Sequence, residues 1–466
     1  MGGLFGALNS SLDAMRSLET ALNVSQNNVS NSSTPGYSAQ VATLEALPFN
    51  ASTGEGGGVV SGPTQSTDNA YADQAVRTQL SQQGNYSAQS TALSSVQSLF
   101  DVTGQTGVIG ALNNLFQSFS AWSASPNSTA AQQAVLTSAQ TLAQSFQSTS
   151  NSLSQTTEQV NQQITSTVQQ VNSIASTIAS DNAQIGQSSP PDPGLEANLQ
   201  ASLQSLSQLV DTTVTFAPNG AATVLLGNGQ SPLVMGTTAS AISATFSANN
   251  DAQLLDTNGN DITNDVSQGS LGGLLTVRNT VLPSIQGDGS QQGALNQLAQ
   301  QVADRVNSIL TSAQTPGGTA GNALFDYNTS NPTAVAHTLT LDPGISISTL
   351  APASVGPPAV SNGAALELSN LGNSTNAADQ IGGQTIVQFV GAMATQLGQQ
   401  ASDAQTNQTL HTSLLTQAQS VQSQFSGVNL DAEALQVLEL QKGYDAAGKM
   451  VSVIDDLTNT LMNMVT

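Results

Sequence analysis

NNVSNSSTPGYS, residues 27–38, closes a helical pattern that begins at Met1. Met1, Leu8, Met15, Leu22 and Val29 recur every seven residues, flanked by Leu4, Phe5, Leu12 and Leu18. Such spacing predicts a coiled-coil-like helix over four heptads. The pattern fails at Thr34, Pro35 and Gly36. Proline lacks an amide hydrogen and drives its predecessor out of the α region. Tyr37 follows directly in the same helix-ending turn.

The opposite end of the chain carries a matching device. Val437, Leu440, Tyr444, Ala447, Val451, Ile454, Leu461 and Val465 follow alternating three- and four-residue spacings, with Thr458 the one polar residue on the line. Asn429 supplies an N-cap, and Asp431 and Glu433 put negative charge at the positive end of the helix dipole. Gly443 and Gly448 each cost about 1 kcal/mol against Ala inside a helix. A helix this weak needs a packing partner. Termini are loose unless tied down, and nothing between the two stripes covers them. The expected interface therefore sets Leu8, Met15, Leu22 and Val29 against Leu440, Tyr444, Ala447, Val451, Ile454 and Leu461. Both arms are expected to exchange amide hydrogens quickly in the isolated chain, over 1–40 and 425–466.

With 466 residues, the chain has room for several domains. Its charged fraction is 8%, against roughly 25% in ordinary soluble proteins. Ser, Thr, Asn, Gln and Ala fill the gap, so helix surfaces can meet copies of themselves without burying many charges. The basic residues are Arg16, Arg77, Arg278, Arg305, Lys442 and Lys449, and the net charge is −23. Phosphate neutralisation has almost nothing to work with, which excludes nucleic acid and anionic membrane surfaces as partners. No apolar run approaches the ~18 residues of a membrane span. The N-terminus has no basic n-region or continuous apolar core, so no cleavable signal peptide is expected.

The interior is largely helical in pattern. A Gly-rich link at 41–68 precedes a helix from about 69. Leu112, Leu115, Phe116, Phe119 and Trp122 form one apolar face that ends at Pro126. A helix of about 85 Å is expected over 128–186. Phe146, Leu153, Val160 and Ile174 share one of its lines, and Ile164, Val171, Ile178 and Ile185 the other. After SSPPDPG and a shorter helix at 195–210, the pattern turns β-like. Asn-Gly pairs at 219–220 and 228–229 between apolar runs are hairpin signals. Helix returns at about 270.

The chemistry-bearing residues are sparse. There is no cysteine, and the two histidines, His337 and His411, stand in unrelated contexts. Neither a zinc set nor a nucleophile elbow is present in the pattern. Asp256, Asn258 and Asn260 have calcium-loop spacing, but Asp261 occupies the position where an EF-hand requires glycine. A hairpin turn accounts for them. No catalytic site, cofactor or metal is expected.

Residues 27–38 resemble the signature that ends the N-terminal helix of flagellar rod, hook and hook-associated proteins. SGVNLDAEALQVLELQKGYDAAGKMVSVIDDLTNTLM, residues 426–462, is similar to the matching C-terminal signature. LFQSFSAWSASPNSTAAQQAVLTSAQTLAQSF, GSLGGLLTVRNTVLPSIQ and LNQLAQQVADRVNSIL narrow the resemblance to the flagellar hook-associated protein 1 family. Ala39 departs from the Arg common in that position, and Gly443 from Ala.

The resemblance implies a non-enzymatic structural protein of the bacterial flagellum at the hook–filament junction. It implies export without a cleavable signal, an extracellular location, and self-assembly into a ring-like homo-oligomer. The implied neighbours are the flagellar hook protein and the second hook-associated junction protein, with an export chaperone on the C-terminal segment. Another axial protein, or a secreted adhesin with axial-type ends, remains an alternative. The expected fold is mainly α: a long helical bundle with coiled-coil-forming N- and C-terminal helices and a small β insertion. Residues 1–40 and 425–466 would form the terminal pair, and 69–210, 270–312 and 363–424 the bundle. A β-rich subdomain is expected over 211–269 and an irregular segment over 313–362.

Overall fold

The computed structural model describes residues 2–50, 55–100, 105–188, 192–227, 229–247 and 251–465. Met1 and Asn228, both used in the sequence reading, lie outside these residues. The chain divides into two compact units, Met1–Ser81 with Asn172–Ser240 and His411–Thr466, and Gln82–Val171 with Ala241–Leu410. The fold is mainly α, with a few small sheets.

The first unit begins with α1 (Gly2–Asn31). A hairpin of β1 (Gln40–Asn50) and β2 (Glu55–Ser66) follows, pairing Gln40 with Ser66 and Leu47 with Gly58. This is a correction to the Gly-rich link expected at 41–68. Its glycines serve strand geometry and close approach. Gly57 and Gly58 have φ of 60° and 132°, and a Cβ on Gly58 would stand 2.6 Å from Ser10 Oγ of α1. The unit also holds the start of α2 (Ala70–Gln97), the end of α4 (Thr129–Ile185) and α5 (Pro193–Leu209). A four-stranded antiparallel sheet contains β3 (Thr212–Phe216), β4 (Ala222–Leu226), β5 (Ser231–Met235) and β6 (Thr238–Ala239). Asn182 of α4 pins this sheet, exchanging 2.7 Å bonds with the Ala222 backbone and donating to Gly236 O. The end of α11 (Ile386–Ser426) and all of α12 (Leu430–Val465) complete the unit.

The second unit contains the rest of α2, α4 and α11 together with α3 (Gly107–Ala124). Leu112, Leu115, Phe119 and Trp122 are buried on α3, and Trp122 Nε1 donates to Pro126 O in the turn that ends it. β7 (Ser243–Phe246) and β8 (Ala252–Leu255) form a separate two-stranded sheet. Residues 211–269, expected as one β-rich subdomain, thus hold two sheets in different units. The Asp256 turn is closed by its own side chain, whose Oδ1 accepts from the Asn258 and Asn260 amides at 2.8 Å.

Next come α6 (Gly269–Thr276), a π-helical turn at Val277–Val281, α7 (Leu282–Gln286) and α8 (Ala294–Thr311). Residues 313–362 contain only short elements: β9 (Phe325–Asp326), α9 (Val335–Thr338) and β10 (Thr340–Leu341) among 3-10 turns. They are nevertheless fastened to α8. Asn307 accepts from the Leu324 and Phe325 amides and donates to Phe325 O, and Asn296 accepts from Ala336 N and donates to Thr333 O. α10 (Gly363–Asn370) packs on α3 and α8.

The long α4 spans the residues expected of it, within one at each end. Phe146, Leu153, Val160, Ile164, Val171, Ile178 and Ile185 are buried along it, and Ile174 is half-buried. No helix among the described residues is long and apolar enough to cross a membrane.

Candidate functional site at the root of the terminal helices

α1 and α12 pack against each other, and α1 also lies on the hairpin. Leu8, Met15 and Leu22 of the N-terminal stripe are half-buried, whereas Val29 is exposed. On the C-terminal stripe Ile454 is buried, Leu440, Tyr444, Ala447 and Val451 are half-buried, and Leu461 is exposed. The fully buried line of α1 is a different one: Ser17, Ala21, Ser25 and Asn28. Small and polar side chains let neighbouring backbones approach closely. Ser17 Oγ accordingly reaches Asp13 O at 2.7 Å and Val59 O of the hairpin at 3.3 Å. Across the helix pair, Leu18 covers Gly443, where a Cβ would stand 3.4 Å from Leu18 Cδ1.

This buried line ends in a polar clasp. Asn28 is 1% exposed and uses its whole amide. Its Nδ2 donates to Gln40 O at 2.8 Å and to Glu433 Oε1 at 2.7 Å. Its Oδ1 accepts from Gln40 N at 2.8 Å and from the Tyr37 hydroxyl at 2.9 Å. Ser25 Oγ donates to the other carboxylate oxygen of Glu433. One asparagine therefore joins α1, the start of β1, the helix-ending turn and the first turn of α12. Glu433 is 9% exposed, and neutral donors rather than a cation satisfy it. Burial, then the nearby Glu433 charge, pushes the Tyr37 phenol above its ordinary value, which keeps it a hydrogen-bond donor.

The turn and the two helix ends are built to hold the clasp in place. Asn429 caps α12, accepting from Asp431 N and Ala432 N at 3.1 and 3.2 Å. Tyr37 N donates to Thr34 O at 3.2 Å, and Thr34 N to Asn31 O at 2.9 Å. Thr34 and Pro35 are exposed, whereas Gly36 and Tyr37 are half-buried. Gly36 has φ of 76°, and a Cβ there would stand 2.4 Å from Ala197 O and 2.9 Å from Ala201 N of α5. Glycine is thus demanded twice, by backbone conformation and by lack of space. Ala39 N donates to Ser426 O at 2.8 Å, stitching the hairpin to the end of α11.

The clasp residues Ser25, Asn28, Gln40 and Glu433 were not singled out by apolar periodicity. Asn28 does lie inside the helix-ending motif, and Glu433 inside the first turn of α12. Such a site can fasten segments together. Among the described residues no group of His, Asp and Glu side chains could hold a metal ion.

The sequence profile described as the flagellar hook-associated protein FlgK helical domain matches residues 93–325, half of the chain. The chain belongs to this family. A second profile, the C-terminal region of flagellar basal body rod FlgEFG proteins, matches residues 422–464, which include all of α12 except Val465. Flagellar hook-associated protein 1 of Bacillus subtilis (strain 168) is 24% identical over 514 aligned positions, covering 99% of each chain. The protein of the same description from Escherichia coli (strain K12) is 24% identical over 336 positions, covering 68% of this chain and 59% of that one. The flagellar hook junction protein FlgK from Burkholderia pseudomallei shares the fold, with a TM-score of 0.64 at 17% identity over 75% of this chain and 99% of that one. The chain is a structural component of the bacterial flagellum, from a family that assembles with other axial components.

Proposed function

We propose that this chain links hook to filament, assembling after export through its paired terminal helices. The observation that carries the proposal is the clasp. It fixes the α1–α12 pair at its root, while much of the apolar surface of both arms stays uncovered. Phe5 is 56% exposed, and Leu435, Leu438, Met450, Val453 and Leu457 are all exposed. Helices so presented can continue into contacts with neighbouring subunits, closing a ring of identical copies by repeated head-to-tail contact. The hook protein would lie on one side of that ring and the second hook-associated junction protein on the other. Before assembly, the uncovered C-terminal arm would be the segment held by an export chaperone. Leu8, Met15, Leu22, Leu440, Tyr444, Ala447, Val451 and Ile454 would form the inner seam of the pair, with Val29 and Leu461 outside it.

The test is deletion of the gene in its host, with electron microscopy of the cell surface and an assay of the medium for flagellin. Bare hooks with flagellin lost to the medium are expected. Intact filaments would overturn the junction role and favour a secreted adhesin. Loss of hooks would indicate a rod or hook component instead.

A further inference from the structure

Beneath the helix-ending turn lies a cavity of about 230 Å3 whose walls include Gly36, Gln40, Asp68, Asp73, Glu196 and Gln200. Three of these are carboxylates, from the hairpin exit, the first turn of α2 and the first turn of α5. Asp192, the N-cap of α5, accepts from Gly194 N and Leu195 N at 2.8 and 3.4 Å on the same helix end. Arg77 is the cation that faces the cluster. It is buried, and its Nη1 reaches Gln200 Oε1 at 3.4 Å. Asp73 is 4% exposed and accepts from Gln422 Nε2 of α11 at 2.6 Å. The turn contributes Tyr37 as its titratable group, engaged with Asn28. Gly36 sits directly on the α5 backbone at the cavity edge.

We infer that this carboxylate-lined cavity is a proton-sensitive joint: acid tightens the docking of the Thr34–Tyr37 turn on α5, and rising pH loosens it. Three carboxylates line one small space with Arg77 beside them, and a proton taken up at Asp73 or Glu196 relieves first the burial of a charge and then the repulsion of its neighbours, costs that the folded joint carries and the open joint does not. Burial pushes the Asp73 carboxyl up; the Gln422 bond and Arg77 pull it back in part, and Asp68 raises it again. Burial, then Asp68 and Asp192, raises Glu196. A carboxyl whose folded pKa lies above its unfolded value binds protons better when folded. Its stabilising contribution is complete below the unfolded values of 3.8 for Asp and 4.5 for Glu, and is lost as pH rises through the folded values. This joint therefore works against the usual acid sensitivity of paired carboxylates. It concerns the root of the arms in the isolated chain and does not depend on the junction role.

The experiment is hydrogen–deuterium exchange on the full-length chain, corrected for intrinsic rates, at several values from about pH 3.5, below the unfolded carboxyl values, up to about pH 7. Each unit of upward pKa shift corresponds to about tenfold in the opening equilibrium. Protection of residues 34–40 and 193–201 should therefore rise several-fold on acidification. Glu196→Gln and Asp68→Asn, both at solvent-reachable positions, should raise protection of the same segments at neutral pH and flatten its pH dependence. Protection that is constant or falls on acidification would overturn the joint. So would a Glu196→Gln chain whose pH profile coincides with that of the wild type.

Discussion

Replacing Asn28 by alanine removes four hydrogen bonds from a site with almost no solvent access. The Gln40 amide, the Gln40 carbonyl and one oxygen of Glu433 are left without that partner. A buried polar group stripped of its partner costs about 1–3 kcal/mol, and water entering the small space recovers part of it. The net cost is about 4 kcal/mol, or about a thousandfold in the opening equilibrium of the clasp. Asn28→Asp has the same shape but cannot donate. It also sets a carboxylate against Glu433, at a position where the native atoms are 2.7 Å apart. Its cost should match or exceed that of alanine at neutral pH and shrink in acid, because two such carboxyls can share one proton. Pairing Asn28→Asp with Glu433→Gln reverses donor and acceptor and should recover about half of the loss. Segment-resolved hydrogen exchange on the isolated full-length chain reads all of these at residues 25–40 and 430–437. In the wild type, protection should be strong at these segments. It should persist along α1 to Ser10, where the hairpin supports the helix, and fade on α12 beyond Thr458, where the side chains are exposed. Uniformly fast exchange over 1–40 and 425–466, the pattern that weak terminal helices alone suggest, would refute the clasp. Exchange in Asn28→Ala within a few-fold of the wild type would refute it too.

Gly36→Ala should cost about 3 kcal/mol, from a strained positive φ together with displacement of the α5 backbone; faster exchange at 193–201 and a lower melting temperature of the first unit would report it, and an unchanged melting temperature would contradict the close approach. Gly443→Ala and Gly448→Ala should each stabilise α12 by about 1 kcal/mol, since one added methyl meets Leu18 at ordinary contact distance and the other meets nothing within 4 Å. Denaturant unfolding followed by helical circular dichroism checks both, and a destabilised Gly443→Ala would show that the helix pair is tighter than its geometry indicates.

Helix boundaries were legible in the sequence because they are local chemistry. Pro35–Gly36, Pro126 and the Pro-rich stretch before α5 each break a pattern that the neighbouring residues would otherwise continue. The seven-residue lines of α4 were equally legible, because that helix buries its apolar face in the ordinary way. The hairpin at 40–66 was not, since glycine-rich composition reads as slack when each residue is considered alone. Gly58 has a use that only the approach of Ser10 from another element reveals. The order of residues 313–362 was hidden for a similar reason. It depends on Asn296 and Asn307, whose bonding partners lie 17 to 40 residues away.

The clasp escaped for a deeper reason. Apolar periodicity finds the faces that leave water because they are greasy, and on α1 it finds Leu8, Met15, Leu22 and Val29. The line that is fully buried, Ser17, Ala21, Ser25 and Asn28, leaves water because it is small and because its polar atoms find exact counterparts in β2, β1 and α12. The two lines answer different needs. Hydrophobic surface is undirected and can be covered by any apolar neighbour, which suits arms that meet other subunits. A buried amide that spends both of its ends on one backbone residue, one tyrosine and one carboxylate accepts a single geometry, because every alternative leaves a polar group unpaired. A chain with few charges can fix direction at the root of its arms with neutral donors and leave adhesion to the apolar surface beyond. The ion pairs of Arg16 with Asp13 and of Arg305 with Asp379 and Glu367 lie outside the clasp, consistent with that division.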